Sequence, residues 1–222
     1  MPLRSRKRKP TTGVPVVKAR TNLFVMVHMQ NSHEWEGLYQ QGQTGWDRGE
    51  ASPNLFYWLE SDLLKPCRIL VPGCGNGHEV LALAERGFDV VAIDVALTPI
   101  ENLKQMLKEN QLSAELVHAD FFAWQCKEPF DAIYEQTSLC ALPSDKWKTY
   151  ENSLYDWLKP KGKLFAQFMQ TEKEGGPPFH CDVSAMIDLF ITEKWKWGEE
   201  HETHIIHSGG LHEKTFLLEK LL

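Results

Sequence analysis

The sequence lacks several features that would define a class of protein at once. It has no apolar run near the roughly 18 residues that a membrane-spanning helix needs, no internal repeat and no low-complexity tract. Its five cysteines are odd in number and form no Cys-x-x-Cys pair, which argues against a disulfide framework or a zinc site. The cysteines are Cys67, Cys74, Cys126, Cys140 and Cys181. They predict a reducing compartment, the cytoplasm, for a chain of ordinary globular composition that is 42% hydrophobic and 24% charged.

Acidic residues are missing from the first 33 positions, which carry seven basic side chains. The rest of the chain therefore holds 17 basic residues against 30 acidic ones, and such an acidic body binds nucleic acid poorly. Three interpretations of the basic tail stay open: an arm for nucleic acid, an Arg-rich targeting peptide, or a leader upstream of a true start at Met26 or Met29. We predict a flexible basic leader over residues 1–32 and one domain over residues 33–222. We expect this domain to be a monomer that binds a small molecule, without nucleic acid or membrane partners.

From residue 54 onward, short apolar runs alternate with helical periods. This alternation is typical of βαβ units and predicts an α/β fold with a Rossmann-like, doubly wound, mostly parallel seven-stranded sheet. The predicted strands are Arg68–Val71, Asp89–Ile93, Glu115–His118, Phe130–Tyr134, Lys163–Met169 and two runs near 194–206 and 215–221. The predicted helices are Asn54–Leu64, His78–Arg86, Pro99–Asn110, Ser144–Trp157 and Val183–Phe190. The last two strands are separated by a turn that contains Ser208-Gly209-Gly210 and by no helix, which predicts a C-terminal antiparallel hairpin.

A glycine-rich loop follows the first predicted strand. Gly73, Gly75 and Gly77 alternate with other residues before a helix begins, and glycine there lets the backbone turn tightly and approach a ligand. A dinucleotide-binding loop has the spacing G-x-G-x-x-G, which would put its third glycine at position 78, where this chain has histidine. The spacing G-x-G-x-G favours a ligand without a pyrophosphate. We therefore predict that the three glycines bind S-adenosylmethionine (SAM).

Acidic side chains end the next two predicted strands. Asp94 follows the loop and is placed to accept hydrogen bonds from both ribose hydroxyls of a nucleoside. Asp120 ends the third strand, where its carboxylate and the backbone N–H of Phe121 are candidates to recognise an adenine edge. A helix cap at Asp94 and a turn at Asp120 are the purely structural alternatives.

Four further stretches carry a family resemblance. They are Trp35-Glu36-Gly37-Leu38-Tyr39, Thr44–Pro53 (TGWDRGEASP), Ser138–Pro143 (SLCALP) and Glu174–Phe179 (EGGPPF). Together with the glycine loop and the two aspartates, they resemble the thiopurine S-methyltransferase superfamily of class I SAM-dependent methyltransferases, and its plant halide and thiol methyltransferases most. The resemblance runs from about residue 33 to the C-terminus. It implies that Trp35, Tyr39 and Trp46 close over the cofactor and the acceptor, with Tyr39 where the family often has tryptophan.

The end of the fourth strand, Ile133-Tyr134-Glu135-Gln136-Thr137-Ser138, is where this fold class places the transferred methyl group. The Asn/Asp-Pro-Pro-Tyr motif of enzymes that methylate nucleobases or protein amides is absent there, and no acidic cluster indicates a metal site. In the thiopurine enzymes an arginine follows the acidic residue of this strand end, and Gln136 stands in its place. The resemblance therefore implies a small thiol, sulfide or halide acceptor rather than a bulky anionic thiopurine.

Thiolates and halides are good nucleophiles, so their in-line displacement mainly requires alignment and exclusion of water. Glu135 is a candidate to orient the cofactor amine, His180 is a candidate to accept a thiol proton, and Gln136 is assigned to the cofactor. The predicted lining of the acceptor pocket is Trp46, Cys140, Leu142 and Met169.

The sequence leaves four functions open. We predict the first, a small-molecule S-methyltransferase, and aromatic thiols of the thiopurine type are its alternative acceptors. A nicotinamide-dependent oxidoreductase is disfavoured by His78 in the glycine loop. A SAM-binding protein without catalysis is disfavoured by the intact loop, Asp94 and Trp46. A nucleic-acid methyltransferase would depend on the basic tail alone.

Overall fold

The computed structural model describes residues 32–201, 205, 207 and 210–222. The predicted leader up to residue 31 and the first two residues of the predicted 208–210 turn lie outside the described residues. The strands are β1 (Arg68–Pro72), β2 (Asp89–Asp94), β3 (Glu115–His118), β4 (Phe130–Gln136), β5 (Leu158–Gln170), β6 (Trp195–His201) and β7 (His212–Lys220). The helices are α1 (Ser32–Gln40), α2 (Pro53–Glu60), α3 (His78–Ala84), α4 (Leu97–Glu109), α5 (Ser144–Trp157) and α6 (Val183–Leu189), with a 3-10 turn at Leu139–Ala141.

Seven strands of the described chain form one sheet in the order β3-β2-β1-β4-β5-β7-β6. Strands β1 to β5 run parallel, and β7 runs antiparallel to both β5 and β6. The predicted doubly wound, mostly parallel sheet with a C-terminal antiparallel hairpin is therefore confirmed. Because β7 lies between β5 and β6, the second strand of the hairpin is the one that joins the parallel part of the sheet.

Two boundaries differ clearly from the sequence prediction. Helix α2 ends at Glu60 instead of Leu64, because the Ser61 hydroxyl bonds to the Tyr57 carbonyl at 2.6 Å and Asp62 takes a positive φ of 61°. Strand β5 begins five residues before the predicted start, since Leu158 pairs with Phe130 of β4 directly after α5 ends.

The sequence does not predict helix α1. Gly37 lies near its centre, and polar and charged side chains are interspersed with apolar ones along it, so neither propensity nor periodicity indicates a helix. Its stability in the fold comes from contacts with α4 that are described below.

Apolar side chains cover both faces of the sheet, and each face has its own core. One core packs α5 and α6 against the sheet, and the other packs α2, α3 and α4 against the opposite face. Fully buried members of the two cores include Tyr150, Leu154 and Met186 on the first face and Trp58, Leu83 and Leu103 on the second. Because β1, β2 and β4 run parallel, their carboxyl ends lie at one edge of the sheet, where their loops are free to bind a ligand. Among the described helices, none is long and apolar enough to cross a membrane.

Candidate functional site

The glycine loop between β1 and α3 turns through three left-handed residues. Gly73, Gly75 and Gly77 have φ of 58°, 52° and 76°, a region that side chains with a Cβ rarely adopt. A Cβ on Gly75 would lie 2.9 Å from the hydroxyl of Tyr39, and one on Gly77 would lie 2.5 Å from the side chain of Leu103. The second glycine therefore lets α1 approach the loop, and the third lets α4 pack beneath it.

Asp94, at the end of β2, binds this loop directly. Its Oδ2 accepts a hydrogen bond from the backbone N–H of Gly75 at 2.9 Å, and its Oδ1 accepts one from Ala96 at 2.9 Å. Burial raises the pKa of this carboxyl group, which is 6% exposed, while the two backbone hydrogen bonds act in the opposite direction. Each oxygen keeps a lone pair for a further donor, such as a ribose hydroxyl.

Three aromatic side chains of the N-terminal segment cluster over the loop. The rings of Trp35 and Trp46 meet edge-on with centroids 5.4 Å apart, and those of Tyr39 and Trp46 are 5.7 Å apart. Tyr39 and Trp46 line the cleft, whereas Trp35 supports Trp46 from the side. Burial, and then the nearby charge of Asp94, raise the pKa of the Tyr39 hydroxyl, so this group stays neutral.

Glu36 attaches this aromatic segment to the rest of the fold, and sequence reasoning does not identify it. Its carboxylate accepts hydrogen bonds from the backbone N–H groups of Leu97 and Thr98 at 2.7 and 3.0 Å, and from the Thr98 hydroxyl at 2.5 Å. The hydrogen bonds from Thr98 lower the pKa of Glu36. A side chain of α1 thus caps α4 across 61 residues of sequence, at the positive end of the helix dipole.

A second attachment joins the loop after α1 to the glycine loop. Asp47 accepts hydrogen bonds from the backbone N–H of Gly49 at 2.7 Å, from Nε2 of His78 at 3.0 Å, and from the amide of Asn76. Burial alone would raise the pKa of Asp47, but these hydrogen bonds and the proximity of His78 hold it below its usual value. His78, which replaces the third glycine of a dinucleotide loop, therefore fixes the segment that carries Trp46.

The predicted adenine-side residues lie beside the end of β2. The backbone N–H of Ala119 donates to the Asp94 carbonyl at 3.0 Å, which puts the end of β3 next to Asp94. Asp120 is exposed and its Oδ1 accepts a hydrogen bond from the backbone N–H of Phe122 at 2.9 Å. The ring of Phe121 packs on Tyr150 at 5.0 Å, so its backbone rather than its ring is available to a ligand.

The wall at the end of β4 contains a chain of hydrogen bonds that sequence reasoning finds only in part. The Tyr134 hydroxyl donates to Oε1 of Gln136 at 2.8 Å, and the Gln136 amide donates to both oxygens of Glu213 at 3.3 Å. Glu213 is fully buried, and Nε2 of His207 lies 3.0 Å from its Oε1. Gln136 and His207 line the cleft, so the buried carboxylate of Glu213 stands directly behind its wall.

The other predicted catalytic candidates do not line this cleft. Glu135 points to the opposite face of β4, where its Oε1 accepts a hydrogen bond from Leu139 at 2.7 Å and burial raises its pKa to about 8. The Nδ1 atom of His180 accepts backbone hydrogen bonds from Thr171 and Glu172 at 3.1 and 3.4 Å, so the ring fixes its own loop.

Of the residues predicted to line the acceptor pocket, one lines the cleft and three do not. Trp46 lines the cleft, but Cys140 and Met169 are 3% and 4% exposed and belong to the hydrophobic core under α5 and α6. Leu142 is half-buried and packs against that core. These three side chains therefore support the wall from behind.

The cleft is open to solvent, and it is lined by Tyr39 and Trp46, the glycine loop and the β4 wall. Three features of the cleft fit SAM. The glycine loop has no room for a Cβ, and the Asp94 carboxylate lies next to this loop. Electron-rich aromatic rings, which attract a sulfonium cation, lie over the loop. Within the described ranges, no group of three His, Cys, Asp or Glu side chains could hold a metal ion.

A doubly wound sheet that ends in an antiparallel hairpin, with this loop and this acid, defines a class I SAM-dependent methyltransferase. A family model described as thiopurine S-methyltransferase matches residues 30–217. The chain belongs to this family, and it is a methyltransferase that uses SAM as its methyl donor.

The relatives are consistent with this assignment. The chain is 33% identical over 165 residues to thiocyanate methyltransferase 1 of Brassica oleracea, covering 73% of each protein. It is 32% identical over 179 residues to a probable thiol methyltransferase 2 of Arabidopsis thaliana, covering 79% of each. A crystal structure of the 1,6-didemethyltoxoflavin-N1-methyltransferase of Burkholderia thailandensis, with S-adenosylhomocysteine bound, shares the fold with a TM-score of 0.71 at 17% identity, over 86% of this chain and 87% of that one.

Proposed function

We propose that the protein transfers the methyl group of SAM to a small sulfur nucleophile, a thiol or sulfide, or to a halide, by in-line displacement. The observation that carries this proposal is the β4 wall, where the family resemblance implies an arginine and this chain has Gln136, whose amide donates hydrogen bonds to Glu213. A bulky anionic aromatic thiol finds no guanidinium at this position. The plant relatives, a thiocyanate methyltransferase and a probable thiol methyltransferase, support an acceptor of this kind.

We further propose a division of labour among the residues of the cleft. When bound, SAM supplies an electrophilic methyl carbon. The N–H groups of the glycine loop and the Asp94 carboxylate hold the nucleoside and amino-acid parts, with Asp120 and the backbone of Phe121 at the adenine. The aromatic faces attract the sulfonium and exclude water from the reacting atoms. The aromatic side chains that line the cleft are Tyr39 and Trp46, and Trp35 packs against Trp46 and holds it in place.

A panel of acceptors tests this function. The chain is incubated with SAM and, separately, with methanethiol, sulfide, a longer aliphatic thiol, thiocyanate, iodide and an aromatic thiol, and release of S-adenosylhomocysteine is measured. We expect turnover with the small acceptors and little with the aromatic thiol. A preference for the aromatic thiol would favour the thiopurine-type alternative, and tight NAD(P) binding without SAM binding would contradict the whole assignment.

The domain limits, the cytoplasmic location and the monomeric state are proposals as well. We expect that deletion of residues 1–28 leaves kcat and KM for a small acceptor unchanged, because the family match begins only at residue 30. Loss of activity on deletion would favour the nucleic-acid interpretation of the basic tail. Light scattering at micromolar concentration tests the monomer.

A further inference from the structure

A histidine in the wall of the cleft is backed by a buried carboxylate. Nε2 of His207 lies 3.0 Å from Oε1 of Glu213, and Gln136 donates to both oxygens of the same carboxylate. Because a carboxylate only accepts hydrogen bonds, this contact requires the proton of the neutral imidazole on Nε2 and leaves Nδ1 as the acceptor. Across the described part of the chain, no residue donates a hydrogen bond to that Nδ1.

Sheet register and a tight turn fix the two side chains in place. Gln136 of β4 pairs with Gln167 of β5, and Gln167 pairs with Thr215 of β7. Glu213 lies two residues before Thr215, so its side chain is on the same face of the sheet. The backbone N–H of His207 donates to the Leu211 carbonyl at 2.8 Å. The pair is therefore rigid on the carboxylate side and meets the cleft on the other side.

Charged and titratable groups surround the pair from several elements. Glu79 of α3 has its pKa raised by burial, and Glu213 raises it further. On β4, burial raises the pKa of Tyr134 strongly and that of Glu135 to about 8. The remaining groups of the cleft and of the neighbouring strands are Asp47, Arg48, Glu50, His78, Cys140, His201, His212 and Lys214. Of the buried carboxyl groups Glu79, Glu135 and Glu213, only Glu213 receives hydrogen bonds from side chains of described residues.

We propose that His207 is the general base that takes the proton of a thiol acceptor, and that Glu213 positions it. This inference rests on the proposed function. The S–H bond of the acceptor breaks, the proton moves to Nδ1 of His207, and the acceptor sulfur keeps the electron pair. This pair forms the new bond to the methyl carbon while the bond from that carbon to the sulfur of SAM breaks, and S-adenosylhomocysteine is the leaving group. The resulting imidazolium faces the Glu213 carboxylate and releases its proton to solvent after the product leaves.

The size of the effect follows from the acidity of the acceptor. A thiol with a pKa of about 8.5 is only about 3% ionised at pH 7 and about three quarters ionised at pH 9. Without a base, turnover depends on the thiolate already present in solution. We therefore expect His207→Gln to lower kcat/KM for such a thiol about thirtyfold at pH 7 and less than twofold at pH 9.

Acceptors without a proton provide an internal comparison. Thiocyanate is fully ionised at pH 7 and needs no base, so the ratio of thiol to thiocyanate turnover in His207→Gln should fall by the same factor of about thirty. His212→Gln serves as the matched control, because His212 is adjacent to Glu213 on β7 and its side chain projects to the opposite face.

Glu213→Gln tests the positioning role with a side chain of equal size. We expect the same pH-dependent loss as in His207→Gln, and a double variant no slower than either single variant, because the two residues act as a unit. A readout independent of SAM is the ¹⁵N NMR spectrum of the imidazoles, with the His207 signals assigned by their loss in His207→Gln. We expect the Nε2–H tautomer in the wild-type chain.

Several results would overturn the proposal. They are a loss in His207→Gln that stays constant from pH 7 to 9, an Nδ1–H tautomer in the wild-type chain, and the pH-dependent loss appearing in His180→Gln instead. Failure of the wild-type chain to methylate any thiol would refute the proposed function. The tautomer measurement would still decide whether the His207–Glu213 pair exists.

Discussion

Glu135 makes the stability of the folded chain sensitive to pH. Its side chain is 1% exposed, its Oε1 accepts one hydrogen bond from Leu139, and its Oε2 has no partner among the described residues. Burial raises its pKa from 4.5 to about 8; the Leu139 N–H lowers it, and the charge of Glu213 raises it. Between pH 4.5 and about 8, Glu135 has lost its proton in the unfolded chain and has kept it in the folded chain. Stability therefore falls as pH rises from 4.5 to 8, by about 5 kcal/mol at most, at about 1.4 kcal/mol for each pH unit.

Glu135→Gln isolates this effect, because the amide keeps the shape and the hydrogen bond from Leu139 but does not titrate. We expect the free energy of unfolding of the wild-type chain to fall relative to the variant between pH 5 and 8, on top of an offset that does not depend on pH. Urea unfolding without SAM at pH 5, 6, 7 and 8 measures the difference. Glu101→Gln on an exposed turn of α4 should follow the wild type. If the curves of the wild type and Glu135→Gln stay parallel, the raised pKa is wrong.

Three further predictions concern the SAM cleft. Gly75→Ala should weaken SAM binding at least tenfold, measured by calorimetry, because a left-handed alanine costs about 1–2 kcal/mol and its Cβ would contact Tyr39. Gly87→Ala is the control: Gly87 also has a positive φ of 80° but open space around it, so this variant should lower stability and leave the SAM affinity unchanged. Asp94→Asn should weaken SAM binding by about 1–3 kcal/mol through lost charge-assisted bonds, and an unaltered dissociation constant would contradict the ribose assignment. Asp47→Asn removes the charge that faces His78 and should speed limited proteolysis between residues 41 and 50, and SAM should restore protection. Equal cleavage rates in the wild type and the variant would show that this attachment does not hold the segment.

Local sequence is enough to predict the nucleoside half of the site. The glycine loop, the strand before it and the helix after it are contiguous, so spacing alone predicts them. The contact of Asp94 with Gly75 follows from the parallel pairing of β1 with β2, since carboxyl ends of adjacent parallel strands meet at one edge. Local sequence does not predict the attachment through Glu36, because its partners Leu97 and Thr98 lie 61 and 62 residues away. These two residues begin α4, a helix that has no capping side chain at its own N-cap position.

The residues that we propose for the acceptor half depend on strand direction, whereas the sequence prediction uses the end of β4 and a loop and names Glu135 and His180 as candidates. In a parallel sheet the functional side chains follow the ends of strands, and this rule points to the end of β4. Strand β7 runs antiparallel to β5, so its first residues, not its last, reach the same edge of the sheet. Glu213 is the second residue of β7 and faces Gln136 across β5. Once a C-terminal antiparallel hairpin is predicted, the residues at the start of its second strand, together with the turn that precedes them, become candidates for the site, and His207 lies in that turn.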